Sequence, residues 1–118
     1  MKLISICLVL LLFLSGCTQQ STKYVEFAKC LSEKGAKMYG AYWCPHCQQQ
    51  KKDFGSGWEF VTYVECSPAG KPEVQLTVCS DAKIKGYPTW VFADDSKITG
   101  EATFEELSQK TSCPLPSN

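Results

Sequence analysis

Ala36-Lys37-Met38-Tyr39-Gly40-Ala41-Tyr42-Trp43-Cys44-Pro45-His46-Cys47 is the stretch that decides the fold. Its first eight residues are dense in aromatic and apolar side chains and bounded by Gly35, which predicts a short buried strand. From Cys44 to Phe54 the composition turns helical, with Gln48, Gln49, Gln50, Lys51 and Lys52 all good formers. Pro45 falls in the first turn, where a missing N–H costs nothing. A Cys-x-x-Cys therefore sits where a strand hands over to a helix. Cys44 takes the helix N-terminus, where unpaired N–H groups and the macrodipole favour a thiolate. Cys47 lies one turn on, close enough to close a disulfide. The expected roles are an exposed nucleophile at Cys44 and a buried resolving thiol at Cys47. His46, the only histidine in the chain, would add a donor and, when protonated, a positive charge near the Cys44 sulfur. That would stabilise the reduced form and make the disulfide more oxidising.

Other chemistries fit less well. A purely structural Cys44–Cys47 disulfide is the bland alternative, although such small rings are usually redox-active. Zinc or iron–sulfur ligation needs a second ligand pair at short spacing, and Cys66 and Cys79 are thirteen residues apart with no further histidine. No metal site is expected. Covalent haem would need Cys-x-x-Cys-His, but Gln48 follows Cys47.

Outward from this centre, Tyr24, Phe27, Ala28 and Leu31 keep the spacing of an amphipathic helix, with Gly35 placed to close it. Gly55-Ser56-Gly57 ends the central helix. Val61 to Cys66 reads as a strand, Ser67 to Pro72 as a loop, and a short helix is expected near Cys79 to Lys85. Thr89 to Phe92 after Pro88 is a third strand, Asp94-Asp95-Ser96 a turn, and Lys97 to Ala102 a fourth strand. Thr103 and Glu106 form a capping box opening the last helix, with Phe104 and Leu107 facing the core and Pro114 and Pro116 beyond its end. Strand–helix–strand implies a parallel pair with a right-handed crossover, and the hairpin adds an antiparallel edge. The expected fold class is α/β, three-layered, with a central mixed sheet of about four strands flanked by helices.

Residues 1–16 are expected to be a leader rather than part of that fold. Lys2 precedes an apolar run from Leu3 to Leu14, broken only by Ser5. The run is too short to cross about 30 Å of hydrocarbon but suits the hydrophobic region of a signal peptide. Leu14-Ser15-Gly16-Cys17 closes it and resembles a lipobox, in which cleavage leaves the cysteine as the lipidated first residue. Secretion after cleavage nearby, or an uncleaved anchor, is the alternative. The layout expected is leader 1–16, lipidated Cys17 with a polar tether over 17–23, folded domain 24–113 and tail 114–118. The chain would then be exported and lipid-anchored on the outer face of the cytoplasmic membrane. Twelve lysines balance twelve acidic residues and there is no arginine, so no electrostatic footprint for nucleic acid exists. Of eight cysteines, Cys7 leaves with the leader and lipid blocks Cys17. The remaining even set in an oxidising compartment points to disulfides, with fifteen pairings open.

Cys-Pro-His-Cys after an aromatic strand, with Gly86-Tyr87-Pro88-Thr89 downstream, resembles the thioredoxin superfamily. The wider string is narrower: Phe27-Ala28, Leu31, Gly35 to Cys47, Gln50-Lys51, Phe54-Gly55, Tyr63-Val64-Glu65-Cys66, Cys79, Ile84 to Trp90, and Gly100. It is similar to the thioredoxin-like domain joined to bacterial and plant homologues of vitamin K epoxide reductase. That resemblance implies that Cys44 and Cys47 are the exchange pair, modulated by Pro45, His46 and Tyr87. It implies a cis Pro88 whose loop faces the Cys44 sulfur and meets the substrate backbone. Cys66–Cys79 would be a structural disulfide. Cys30 and Cys113 are then left, either bridged around the whole domain or free as buried thiols; the bridge is the expectation. The partner implied is a membrane quinone reductase; with no membrane domain in this sequence, it would be a separate protein or have been replaced. A second departure concerns the buried acid of thioredoxins six residues before the first cysteine, where this chain has Met38.

The function expected is that of an exported thiol–disulfide oxidoreductase, monomeric and without a cofactor beyond its own disulfide. It would pass the Cys44–Cys47 disulfide to thiols of exported proteins and be reoxidised at the membrane. Reduction or isomerisation of extracytoplasmic disulfides is the rival within the class. A non-catalytic thioredoxin-like binding module, or a copper site, is the rival outside it. Trp43 either shapes the docking surface or caps the core, Trp58, Trp90 and Phe92 read as core, and Glu65 reads as a solvated charge at a strand end, with a proton-transfer role left open.

Overall fold

The computed structural model describes residues 21–117. The leader, Cys17 and most of the tether therefore lie outside the described residues. Helix α1 (Val25–Glu33) buries Phe27, Ala28 and Leu31 along one stripe, as their spacing requires. Gly35 follows with φ +82°, a left-handed position that turns the chain into β1 (Lys37–Gly40). Helix α2 (Pro45–Phe54) follows and ends, as expected, at Gly55, whose φ of +55° breaks the α-helical path; a 3-10 segment over Gly55–Phe60 comes directly after it. Then come β2 (Tyr63–Glu65), α3 (Thr77–Asp81), β3 (Thr89–Val91), β4 (Lys97–Thr99) and α4 (Phe104–Thr111).

The sheet order is β2-β1-β3-β4. β1 pairs in parallel with β2 and antiparallel with β3, and β3–β4 is the hairpin. Alternation of side chains across the central strand sets the layers. Met38, opposite Trp90 in register, faces a core made with Phe27, Leu31, Phe54 and Leu107, so α1, α2 and α4 cover that face. Tyr39 points the other way, into a smaller cluster with Cys66, Cys79 and Ile84 beneath α3. The result is an α/β domain of thioredoxin-like fold with a four-stranded mixed sheet between helical layers.

The strands expected from Ala36 to Trp43 and from Val61 to Cys66 are shorter, Lys37–Gly40 and Tyr63–Glu65, and two further elements differ from the sequence expectation for a local reason. α3 ends at Asp81 rather than continuing to Lys85, because Lys83 adopts φ +59° and turns Ile84 into the second cluster. β4 ends at Thr99 rather than at Ala102, because Gly100 at φ +95° redirects the chain. Ala102 then exchanges both backbone hydrogen bonds with the Gln50 side chain: Gln50 Oε1 accepts its N–H at 2.7 Å and Gln50 Nε2 donates to its carbonyl at 3.1 Å. The Trp90 indole also donates to Gln50 Oε1, at 3.1 Å. A residue that reads as an ordinary helix former is thus a buried polar hub tying α2 to β3 and to the segment before α4. The Thr103–Glu106 capping box is present at the start of α4.

Disulfides join Cys66 to Cys79 and Cys30 to Cys113. The second spans a sequence separation of 83 residues and ties α1 to the chain just after α4; in the chain-entropy account such a loop is worth about 4.5 kcal/mol.

Candidate active site

The turn Ala41–Trp43 delivers Cys44 to the N-cap of α2, with φ −79° and ψ 119°. There the Cys47 N–H donates to Cys44 Sγ at 3.3 Å, while Gln48 N–H closes the first helical turn on the Cys44 carbonyl at 3.1 Å. A sulfur so placed accepts from an otherwise orphaned helix N–H and lies at the positive end of the helix dipole. Pro45 occupies the first helical position and removes a donor that would have no partner.

Across from it, Tyr87–Pro88 is a cis peptide. The Cys44 thiol donates to the Tyr87 carbonyl at 3.6 Å. Pro88 is itself buried, and its carbonyl accepts the Gly100 N–H at 2.7 Å, which locks the loop to the hairpin end. The Tyr87 ring meets Trp43 edge-on at 5.9 Å, and its hydroxyl accepts from Gln75 at 2.8 Å. Trp43 leaves 45% of its surface exposed while its indole N–H donates to Ser67 Oγ at 2.9 Å; it borders the thiols rather than filling the core.

Cys44 corrects one expectation. It is 4% exposed and Cys47 is 3% exposed, so solvent exposure does not distinguish the two sulfurs. Cys44 belongs to the main core cluster, with the Tyr87 carbonyl against its sulfur. Their surroundings differ: Cys44 receives the Cys47 N–H and meets the Tyr87 carbonyl, whereas burial, followed by the Cys44 side chain, pushes the Cys47 thiol up to about 12.

His46 also departs from expectation. Its ring Nδ1 lies 2.8 Å from Glu101 Oε2. An ionised carboxylate can only accept, so Nδ1–H donates to Glu101 rather than to the Cys44 sulfur. Glu101 follows Gly100, and the bend that ends β4 brings it beside the start of α2.

Behind Cys47 the sheet leaves a gap. A Cβ added at Gly40 would lie 3.0 Å from Cys47 Sγ and 3.2 Å from the Tyr63 hydroxyl, so only glycine leaves this space open. A small cavity of about 90 Å³ continues it, lined by Tyr42, Cys47, Gln48, Lys51, Trp58, Tyr63 and Glu65. Glu65 is half-buried, and its Oε2 accepts the backbone N–H groups of Cys66 and Ser67 at 3.0 and 3.3 Å. Burial and the neighbouring Glu65 carboxylate raise the Tyr63 phenol above its ordinary value. Met38, at the position where thioredoxins carry an acid, is buried in the same apolar cluster as Cys44 and Cys47, with Tyr63 packed against it, so that position offers the thiols no carboxylate. Reading Glu65 as a solvated strand end misses its place on the cavity wall. The missing information is the register that sets Glu65 opposite Gly40, which no residue pattern displays.

No family model matches the chain. Over 107 residues it is 41% identical to the thiol-disulfide oxidoreductase LTO1 of Arabidopsis thaliana, across 87% of this chain and 28% of that protein. The chain therefore spans little more than a quarter of its relative's length. Sheet order, flanking helices and this likeness agree on a thioredoxin-like domain, similar to one part of a larger thiol–disulfide oxidoreductase.

Proposed function

We propose that this chain is an exported thiol–disulfide oxidoreductase that donates its Cys44–Cys47 disulfide to cysteines of exported proteins. The observation that carries the reading is the Cys44 sulfur, held between the first turn of α2 and the carbonyl of Tyr87 in the cis-proline loop. An attacking substrate thiolate forms a bond to Cys44 Sγ while the Cys44–Cys47 bond breaks and Cys47 leaves. A second substrate thiolate then attacks the substrate sulfur of the mixed disulfide and releases Cys44. Two protons and two electrons pass to the enzyme, and a membrane quinone reductase of the vitamin K epoxide reductase type would remove them. The likeness to a thiol-disulfide oxidoreductase supports the exchange chemistry; the leader and the Leu14–Cys17 run support export and lipid anchoring at Cys17.

The reductive rival draws on His46. With its Nδ1–H engaged by Glu101, part of the charge that would stabilise a Cys44 thiolate is neutralised. The reduction potential separates the two. Thiol–disulfide proteins of this class span from about −270 mV for reductants to about −120 mV for strong oxidants. A value near the lower end, with fast reduction of insulin and no gain in oxidative refolding of a reduced test protein, would sink the oxidant reading. Replacing Cys17 with Ser should release the domain from membranes; unchanged retention would refute the lipid anchor.

A further inference from the structure

Exchange chemistry needs Cys47 in two states. It must be a thiolate when it attacks the Cys44 sulfur of a mixed disulfide, and it must be reprotonated to the neutral thiol after a substrate thiolate has displaced it from Cys44. Yet Cys47 is buried, and burial opposes its ionisation. Something at the rear of the thiol has to take its proton and return it.

We propose that the Glu65 carboxylate is that group, exchanging a proton with Cys47 Sγ across the Gly40 gap, with Tyr63 flanking the route. Three observations place it. Gly40 keeps the space between Cys47 Sγ and the Tyr63 hydroxyl free of side chain. The cavity that continues this space has Cys47 and Glu65 in the same wall, and at about 30 Å³ per water its 90 Å³ admits roughly three molecules able to relay a proton. Backbone N–H groups of Cys66 and Ser67 hold Glu65 Oε2, fixing the carboxylate instead of letting it swing into solvent. The ionisable groups facing Cys47 are Cys44 and Lys51 on α2, Tyr63 and Glu65 on β2, and Tyr42 in the turn before α2. Among them Glu65 alone is a carboxylate, and Tyr63 is held neutral by its own raised value.

The step balances in both directions. When Cys47 attacks, its proton moves to the Glu65 carboxylate as the new Cys44–Cys47 bond forms and the substrate thiolate departs. When substrate thiolate attacks Cys44, the Glu65 carboxylic acid returns a proton to the departing Cys47 sulfur. The inference rests on Cys44 and Cys47 being the exchange pair and is indifferent to the direction of net flow.

Dithiobis(nitrobenzoate) provides the test, used on the chain with Cys7 and Cys17 replaced by Ser and with the Cys44–Cys47 pair alone reduced, the Cys30–Cys113 and Cys66–Cys79 bridges intact. Attack by Cys44 releases a first thionitrobenzoate, and attack by Cys47 on the resulting mixed disulfide releases a second. Glu65→Gln keeps an oxygen to accept from Cys66 and Ser67 but cannot take a proton. The expected result is an unchanged first release and a second release slowed about 100-fold at neutral pH, the lower end of general-base contributions. The deficit should shrink as pH rises and hydroxide takes over, and Glu65→Asp should recover part of the rate. Equal second-release rates and pH profiles in wild type and Glu65→Gln overturn the proposal, as does a comparable loss from Lys51→Met with none from Glu65→Gln. No second release from the wild-type chain would instead overturn the exchange pair itself, an outcome independent of residue 65.

Discussion

Cys66 and Cys79 are joined beneath α3 on one side of the sheet, whereas Cys44 and Cys47 stand as thiols at the first turn of α2. All four are almost completely buried. Burial therefore cannot be what makes one pair an anchor and the other a candidate for exchange. The backbone around each sulfur differs instead. Cys66 follows β2 with its N–H shared between the Gly40 carbonyl and Glu65 Oε2, and Cys79 lies inside a short helix. Cys44 sits at a helix N-cap, accepting an N–H and facing the cis-proline loop. The two pairs thus differ in the dipoles and neighbours that face each sulfur, not in their access to water.

Exchanging the fates of the two regions is the sharpest way to break this comparison. Cys44→Ser should abolish exchange while leaving thermal stability of the reduced protein nearly unchanged, checked by insulin turnover and calorimetry on one sample. Cys47→Ala should accumulate mixed disulfides with client proteins in a membrane extract, resolved on non-reducing gels; none captured would count heavily against Cys44 as nucleophile. Removing the Cys30–Cys113 bridge by a double Ala substitution should do the reverse, lowering stability by about 4.5 kcal/mol while the folded fraction keeps its exchange rate. The Cys66–Cys79 bridge encloses a much shorter loop and should cost about 3 kcal/mol, measured by denaturant unfolding under non-reducing conditions.

Gln50→Leu makes a smaller change in the same terms. It leaves the Trp90 indole and the Ala102 N–H without their buried acceptor, and should cost about 2–4 kcal/mol. The smallest effect is in pH. With Cys47 protonated up to about 12, its proton alone should make the reduction potential fall by about 30 mV per pH unit across the neutral and moderately alkaline range. The same displacement destabilises the reduced fold at high pH. The unfolded thiol ionises from about its ordinary value of 9.0 while the folded one holds its proton to about 12, so stability falls as pH rises through that window. The oxidised form, lacking this titration, should show no such loss from Cys47.

Much of the fold is legible because its signals are local. The α1 stripe, the aromatic strand, Pro45 after the N-cap cysteine and the Thr103–Glu106 box each need only a few adjacent residues to be recognised. The boundaries of α3 and β4 are not legible, since Lys83 and Gly100 take left-handed backbone for reasons set by what lies beneath them. Gln50 and Glu65 escape for a related reason. Each is polar and unremarkable in its own segment, and becomes significant only opposite residues far along the chain.

The sequence by itself determines that two cysteines share a helix start after a buried strand, because spacing and composition fix local geometry. Only the tertiary structure decides what those sulfurs face. Sheet pairing brings the Tyr87–Pro88 loop over Cys44, the bend at Gly100 carries Glu101 to His46, and the register of β1 with β2 sets Glu65 on the cavity behind Cys47. Those are long-range juxtapositions, and a carboxylate or carbonyl can act on a thiol only at the short distances that folding creates.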